Sequence, residues 1–191
     1  MEGLTYQKGD WKKDFEEAVK LHQKAIDGDQ QAAKKAFDIL KKIKLQAMNH
    51  SIVEAYFGSS SALIARDHPD LIEKMNLAKR GLKALDKAVK AEPNHTEIRM
   101  LRANVAYRLP EMYFKRTKTA IEDFQFLISD YEKKKTDISK DQYCEFLLNL
   151  GSSYQTIGDS KNAENTWEKL LKINSGKYKK LVEQARKTGG E

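Results

Sequence analysis

Apolar residues return along this chain mainly at intervals of three and four, the spacing of one helix face. From about residue 11 to 27, Phe15, Ala18, Val19, His22, Ala25 and Ile26 make the first stripe. Gly28-Asp29 breaks it: a glycine can take the left-handed conformation that ends a helix, and an aspartate can cap the next one. Ala33, Phe37, Leu40 and Ile43 make the second stripe. Residues 47–66 predict a third helix with little bulk in its middle (Ala55, Gly58, Ser59, Ser60, Ser61, Ala62), which lets a neighbouring backbone come close. Asp67-His68-Pro69-Asp70 interrupts, and Pro69 suits a first helical turn. A long helix is predicted over about 70–91, on Leu71, Met75, Ala78, Leu82, Leu85 and Val89, flanked by Ile72 and ended by Glu92-Pro93-Asn94. Helices over 96–108 and about 115–132 follow, separated by Leu109-Pro110-Glu111. The polar loop 133–140 offers Ser139 or Asp141 as a cap. Two more helices, about 141–157 and 160–174, are joined by Gly158-Asp159, and a short one from Lys177 precedes Gly189-Gly190. The predicted fold class is all-α.

Composition agrees. Three prolines and ten glycines in 191 residues leave few breaks, and Ala, Lys, Glu and Leu dominate. The turn signals and alternating β-branched runs of an all-β fold are missing. No apolar run approaches the ~18 residues of a membrane span. Met-Glu-Gly-Leu-Thr is not a basic start followed by an apolar stretch, so no signal peptide is expected and a cytoplasmic location is. The net charge of +7 invites a nucleic-acid reading. It is spread, however, as an excess of +2 over residues 1–50, +2 over 51–130 and +3 over 131–191. Interleaved acids and bases are the pattern of solvated helix faces. The compact runs Lys133–Lys135 and Lys177–Lys180 are expected to be solvated loops.

The helix pairs also look alike. Ala33, Phe37 and Leu40 follow Gly28 at the spacings at which Ala163, Trp167 and Leu170 follow Gly158. Gly81, Leu85, Ala88 and Ala120, Phe124, Leu127 keep the same internal spacings. A small residue admits a partner helix and a bulky one fills the groove beside it. On these residues the chain resembles the tetratricopeptide repeat family, whose pattern runs over about 34 residues. Residues 144–177 fit best, with Leu147, Leu150, Gly151, Tyr154, Ala163, Trp167 and Leu170 in register and Ser175 where the family prefers Pro. In the first repeat Leu21 stands where Gly or Ala is usual. In the third, Ala103 fits the small position, but Arg99 and Arg102 stand where apolar residues are expected. The small second-helix positions lie 48, 39 and 43 residues apart, so the repeats carry insertions of about 14, 5 and 9. The resemblance implies one domain over 1–191, an α-solenoid of about four antiparallel helix pairs (about 14–47, 51–93, 96–132 and 144–177) with 178–191 as cap or tail. The insertions make it similar to degenerate bacterial-type repeat proteins, a likeness that implies no activity.

Catalytic and metal signatures are absent from the sequence pattern. His22, His50, His68 and His95 form no HExxH or HxH arrangement, and Cys144 has no adjacent histidine and can form no intrachain disulfide. Asp67-His68-Pro69-Asp70 reads as a helix start rather than a metal site. Gly58-Ser59-Ser60-Ser61 lacks the Lys and second Gly of a phosphate loop. Cys144, near Phe146 and Leu147, reads as a packed thiol. No enzyme activity, cofactor or metal is expected.

What the resemblance offers is a surface. In this family the first helix of each pair lines a concave groove that holds an extended peptide or partner helix. Carried over by register, the groove residues are Ser59 and Ala62; then Met100, Asn104, Tyr107 and Arg108; then Glu145, Asn149, Ser152 and Gln155. Asparagine amides can bond both edges of a peptide backbone. Members that clamp a C-terminal carboxylate use two Asn with Lys and Arg. Asn104 and Asn149 are similar to that Asn pair, but Met100 stands where the Lys belongs, so carboxylate clamping is not expected. Met112-Tyr113-Phe114-Lys115-Arg116, in an inserted turn, is expected to cover the core rather than meet a partner. The expected function is a protein–protein interaction module or scaffold whose partner is another protein or peptide. One alternative is a nucleic-acid or polyanion binder using Lys133–Lys135, Lys177–Lys180, Lys115 and Arg116. The other is a scaffold that assembles with itself.

Overall fold

The computed structural model describes residues 11–46 and 50–188. The opening Met-Glu-Gly-Leu-Thr, residues 47–49 and Gly189-Gly190 lie outside them. The described residues form helices joined by turns and short loops, with no strand among them. The helices are α1 (Trp11–Ile26), α2 (Gln30–Gln46), α3 (Ser51–Asp67), α4 (Leu71–Ala91), α5 (Thr96–Arg108), α6 (Glu111–Phe114), α7 (Thr117–Glu132), α8 (Lys140–Thr156) and α9 (Ser160–Thr188). None is long and apolar enough to cross a membrane. The chain divides into two compact units, Met1–Leu101 and Arg102–Glu191, with the boundary falling inside α5.

The two Gly-Asp turns are built alike. Gly28 and Gly158 adopt φ of 107° and 79°, where a side chain would be strained. Gly28 N–H bonds Ala25 O at 3.1 Å and Asp29 N–H bonds Lys24 O at 3.1 Å. The same two bonds recur from Gly158 to Gln155 (3.0 Å) and from Asp159 to Tyr154 (2.9 Å). Together they satisfy the last carbonyls of α1 and of α8. Asp29 then accepts from Ala32 N–H at 2.9 Å, and Asp159 from Asn162 N–H at 3.2 Å, capping α2 and α9. Other helix starts use other caps. Asp70 accepts from Glu73 N–H, so Pro69 precedes the cap instead of opening the helix. Ser139 and Gln142 form a reciprocal capping box.

In unit 1, α1 packs on α2, α2 on α3 and α3 on α4. Helix α3 buries twelve of its seventeen residues, Ala55 and Gly58 to Ser61 among them. Gly58 and Gly81 bring α3 and α4 into backbone contact: a Cβ on Gly81 would stand 2.5 Å from Gly58 O. Leu71 and Ile72 do not join the buried stripe of α4; they are 73% and 72% exposed, in its first turn.

In unit 2, α7 packs on α8 and α8 on α9. Trp167 is fully buried against Gly151, where even a Cβ would collide with the indole. Its Nε1–H donates to Leu148 O at 3.3 Å. Arg102 is buried too, and its guanidinium bonds both Asp123 oxygens, at 2.7 and 2.9 Å. That pairing is how a cation occupies a place where the pattern calls for an apolar residue. The cysteine expectation agrees with the structure: Cys144 is a buried free thiol, and burial pushes its pKa up. Helix α9 bends at Asn174 (φ −156°, ψ 74°), whose Oδ1 accepts from Lys177 N–H. The expected last helix from Lys177 is therefore the piece of α9 beyond this bend.

Across the four pairs, the small position (Ala33, Gly81, Ala120, Ala163) and the later apolar position (Leu40, Ala88, Leu127, Leu170) are all buried. So is the bulky position between them at Leu85, Phe124 and Trp167, while Phe37 is half-buried.

Candidate functional site

Helices α7, α8 and α9 each carry a stripe of side chains at the same helical spacing. Gln125, Ile128, Ser129 and Glu132 lie along α7. Leu147, Leu150 and Tyr154 lie along α8. Asn162, Asn165, Thr166 and Lys169 lie along α9. With Lys133, these line one groove of about 530 Å³. Its floor is apolar, since Ile128, Leu147 and Leu150 are core residues. Its walls are amides, hydroxyls and charges. Gln125 Nε2 donates to the Tyr154 hydroxyl at 2.6 Å, spanning from α7 to α8. Asn162 Nδ2 donates to Asp159 at 2.7 Å, and the Thr166 hydroxyl to Asn162 O at 2.7 Å. Asn165 is exposed.

The charged end of the groove is set by Glu132. It accepts from Lys169 Nζ at 2.5 Å and from the Tyr143 hydroxyl at 2.6 Å. Burial raises its pKa, but these two bonds outweigh that and hold the carboxyl below its ordinary value. Burial and the bond to Glu132 push the Tyr143 phenol well above its ordinary pKa. Both groups thus keep fixed charge states near neutral pH, and the groove sets polar and charged walls over an apolar floor.

The residues picked from the repeat register stand elsewhere. On α8, Glu145, Asn149 and Ser152 sit about half a turn around the helix from Leu147, Leu150 and Tyr154. Asn149, Ser152 and Gln155 are half-buried, and the Ser152 hydroxyl donates to Leu148 O at 3.0 Å. On α5, Met100, Asn104 and Tyr107 are half-buried and Arg108 is exposed. The Tyr107 ring meets Phe124 edge-on, 6.0 Å between centroids. Ala62 is half-buried. Ser59 is only 5% exposed and its hydroxyl is 2.8 Å from His22 Nε2. Ser59 and Ser152 therefore have hydroxyls already engaged within the protein. The expectation for 112–116 is corrected in part: Phe114 and Arg116 are half-buried, whereas Met112 and Tyr113 are 78% and 64% exposed. The cause is α6, a single helical turn that points both outward.

Two further polar centres stabilise unit 1. Glu54, buried on α3, takes Lys44 from α2 at 2.7 Å and Lys87 from α4 at 3.4 Å. His22 is held neutral by burial, its pKa lowered to about 4. Among the described residues, no group of three His, Cys, Asp or Glu could hold a metal. His68 Nδ1 instead accepts from Asp70 N–H at 3.2 Å, part of the turn before α4.

No protein-family model matches the chain, and no curated protein is significantly similar to it.

Proposed function

We propose that the protein is a binding module of tetratricopeptide-like helical hairpins, not an enzyme, and that it holds an extended segment of another protein in the groove of α7, α8 and α9. The observation that carries the reading is the set of three matched stripes. Together they give an apolar floor with amides and hydroxyls on both sides. Amides offer a donor and an acceptor each, as a strand of peptide backbone requires, and the floor takes its alternate side chains. The paired charges of Glu132 and Lys169 confine the apolar length. The repeat reading rests on the matching Gly-Asp turns and on the buried small and apolar positions of the four pairs. We place the protein in the cytoplasm on the same reading, where Cys144 stays a thiol.

A second reading keeps the peptide on the face of Asn104 and Asn149, the one the repeat register indicates. The half-buried amides there favour it. One experiment separates the two. Peptides are selected from a random displayed library on the full chain, and their affinity is then measured on variants. Tyr154→Ala with Asn162→Ala is expected to weaken binding about tenfold or more, while Asn104→Ala with Asn149→Ala leaves it within about twofold. The reverse pattern would move the site to the second face. A library from which no peptide is enriched would contradict both.

A further inference from the structure

Unit 2 carries a second surface that the groove does not use. Between Arg108 and Lys118 the exposed residues are Arg108, Pro110, Met112, Tyr113, Lys115 and Lys118. Three are cations, two are large and apolar or amphipathic, and none is acidic. The acid of this stretch, Glu111, is half-buried and bound to Thr117. Its carboxylate accepts the N–H of Thr117 at 2.8 Å and the Thr117 hydroxyl at 2.7 Å, tying α6 to the start of α7. Lys115 closes the turn in the left-handed region (φ 52°, ψ 49°), with its N–H on Glu111 O at 2.9 Å. A lysine accepts that conformation at a cost. The result is a short, pinned turn that holds Met112 and Tyr113 out in water, where they gain nothing from the core.

We propose that this turn docks the protein on the surface of an anionic phospholipid bilayer. Met112 and the Tyr113 ring enter the headgroup layer, where an apolar body with a polar tip is favoured. Arg108, Lys115 and Lys118 meet the lipid phosphates and outnumber the single carboxylate of the turn, Glu111, which is tied to Thr117. Such docking is weak, reversible and lost as salt rises. It is independent of the peptide groove, whose residues lie outside this stretch.

The test is co-sedimentation of the full chain with vesicles of mixed phosphatidylglycerol and phosphatidylcholine, against phosphatidylcholine alone. Binding is expected to the mixed vesicles only. The Met112→Ser, Tyr113→Ser double variant and the Lys115→Gln, Lys118→Gln double variant should each weaken it about tenfold, and Tyr154→Ala should not change it. Because all four altered positions are exposed, circular dichroism should show unchanged helix. A Tyr113→Trp variant should shift its emission to the blue on mixed vesicles. Equal binding to both vesicle types would overturn the proposal. So would binding that survives the serine substitutions, or a Tyr113→Trp emission that does not move. Loss of RNA binding with the glutamine substitutions, without any vesicle effect, would assign the patch to a soluble polyanion instead.

Discussion

The first and last hairpins share one turn and pack around it differently. α1–α2 and α8–α9 both end their first helix on a left-handed glycine with the same pair of backbone bonds, and both cap the second with aspartate. The residue opposite the bulky position then decides the packing. Gly151 leaves a slot that Trp167 fills completely, with its indole N–H satisfied. Leu21 stands at the matching place in α1, and Phe37 goes elsewhere, stacking on Phe57 of α3 at 5.4 Å. The turn thus fixes the hairpin, while the small position fixes whether its large residue locks the pair or bridges to the next helix.

The largest expected effect tests that contrast. Trp167→Ala should destabilise unit 2 by about 3–5 kcal/mol, because it empties a fully buried site. Phe37→Ala, half-buried, should cost about 1–2 kcal/mol. Urea unfolding of the two variants reads both, and equal losses would break the distinction. Asp123→Ala should approach the tryptophan loss, at about 3–5 kcal/mol, by taking the buried carboxylate from the Arg102 guanidinium and leaving it with the longer contact to exposed Glu122 at 3.5 Å. A double change to Arg102→Met and Asp123→Leu should recover most of it.

Acid should act first on unit 1. His22 has a folded pKa of about 4 against an ordinary value of 6.5, so between these values the unfolded chain binds the extra proton. The stability held by neutral His22 is complete above about pH 6.5 and is lost as pH falls toward 4, by about 3 kcal/mol. A His22→Gln variant should flatten that part of the stability–pH curve, measured by thermal melts across the range.

The smallest effects concern what the hairpins share. Gly28→Ala and Gly158→Ala should each cost about 1 kcal/mol, the penalty of a side chain in the left-handed region. Space is not the issue, since a Cβ at either meets nothing within 4 Å. A difference well beyond experimental error would mean that the two turns are not equivalent.

Most helices were legible because their apolar stripes and breakers are unambiguous. Gly28-Asp29, Gly158-Asp159 and Ser139 mark their ends by known capping chemistry. Four-residue α6 was not legible, being too short to show a period, and its outward Met112 and Tyr113 looked like core. Leu71 and Ile72 misled for a related reason: a helical stripe says which residues share a face, not where along the helix the neighbour stops. Arg102 broke the pattern because its partner, Asp123, lies on another helix and compensates through space. The groove was hidden similarly. In sequence, Gln125, Ser129 and Glu132, or Asn162, Asn165, Thr166 and Lys169, read as ordinary solvated faces. Only the apposition of α7 and α9 across Leu147, Leu150 and Tyr154 turns them into walls. Polar stripes at matching spacing on successive second helices were the signal that could have marked it.

The central claim is that the groove of α7, α8 and α9 holds a peptide. It is tested most directly by titrating a library-selected peptide into isotope-labelled full-length protein and following amide resonances by NMR. The account predicts that the largest shifts fall on Gln125, Ser129, Leu150, Tyr154, Asn162 and Thr166, with the Gln125, Asn162 and Asn165 side-chain amides moving alongside. Shifts gathered instead on Asn104, Asn149 and Gln155, with the groove residues still, would contradict it.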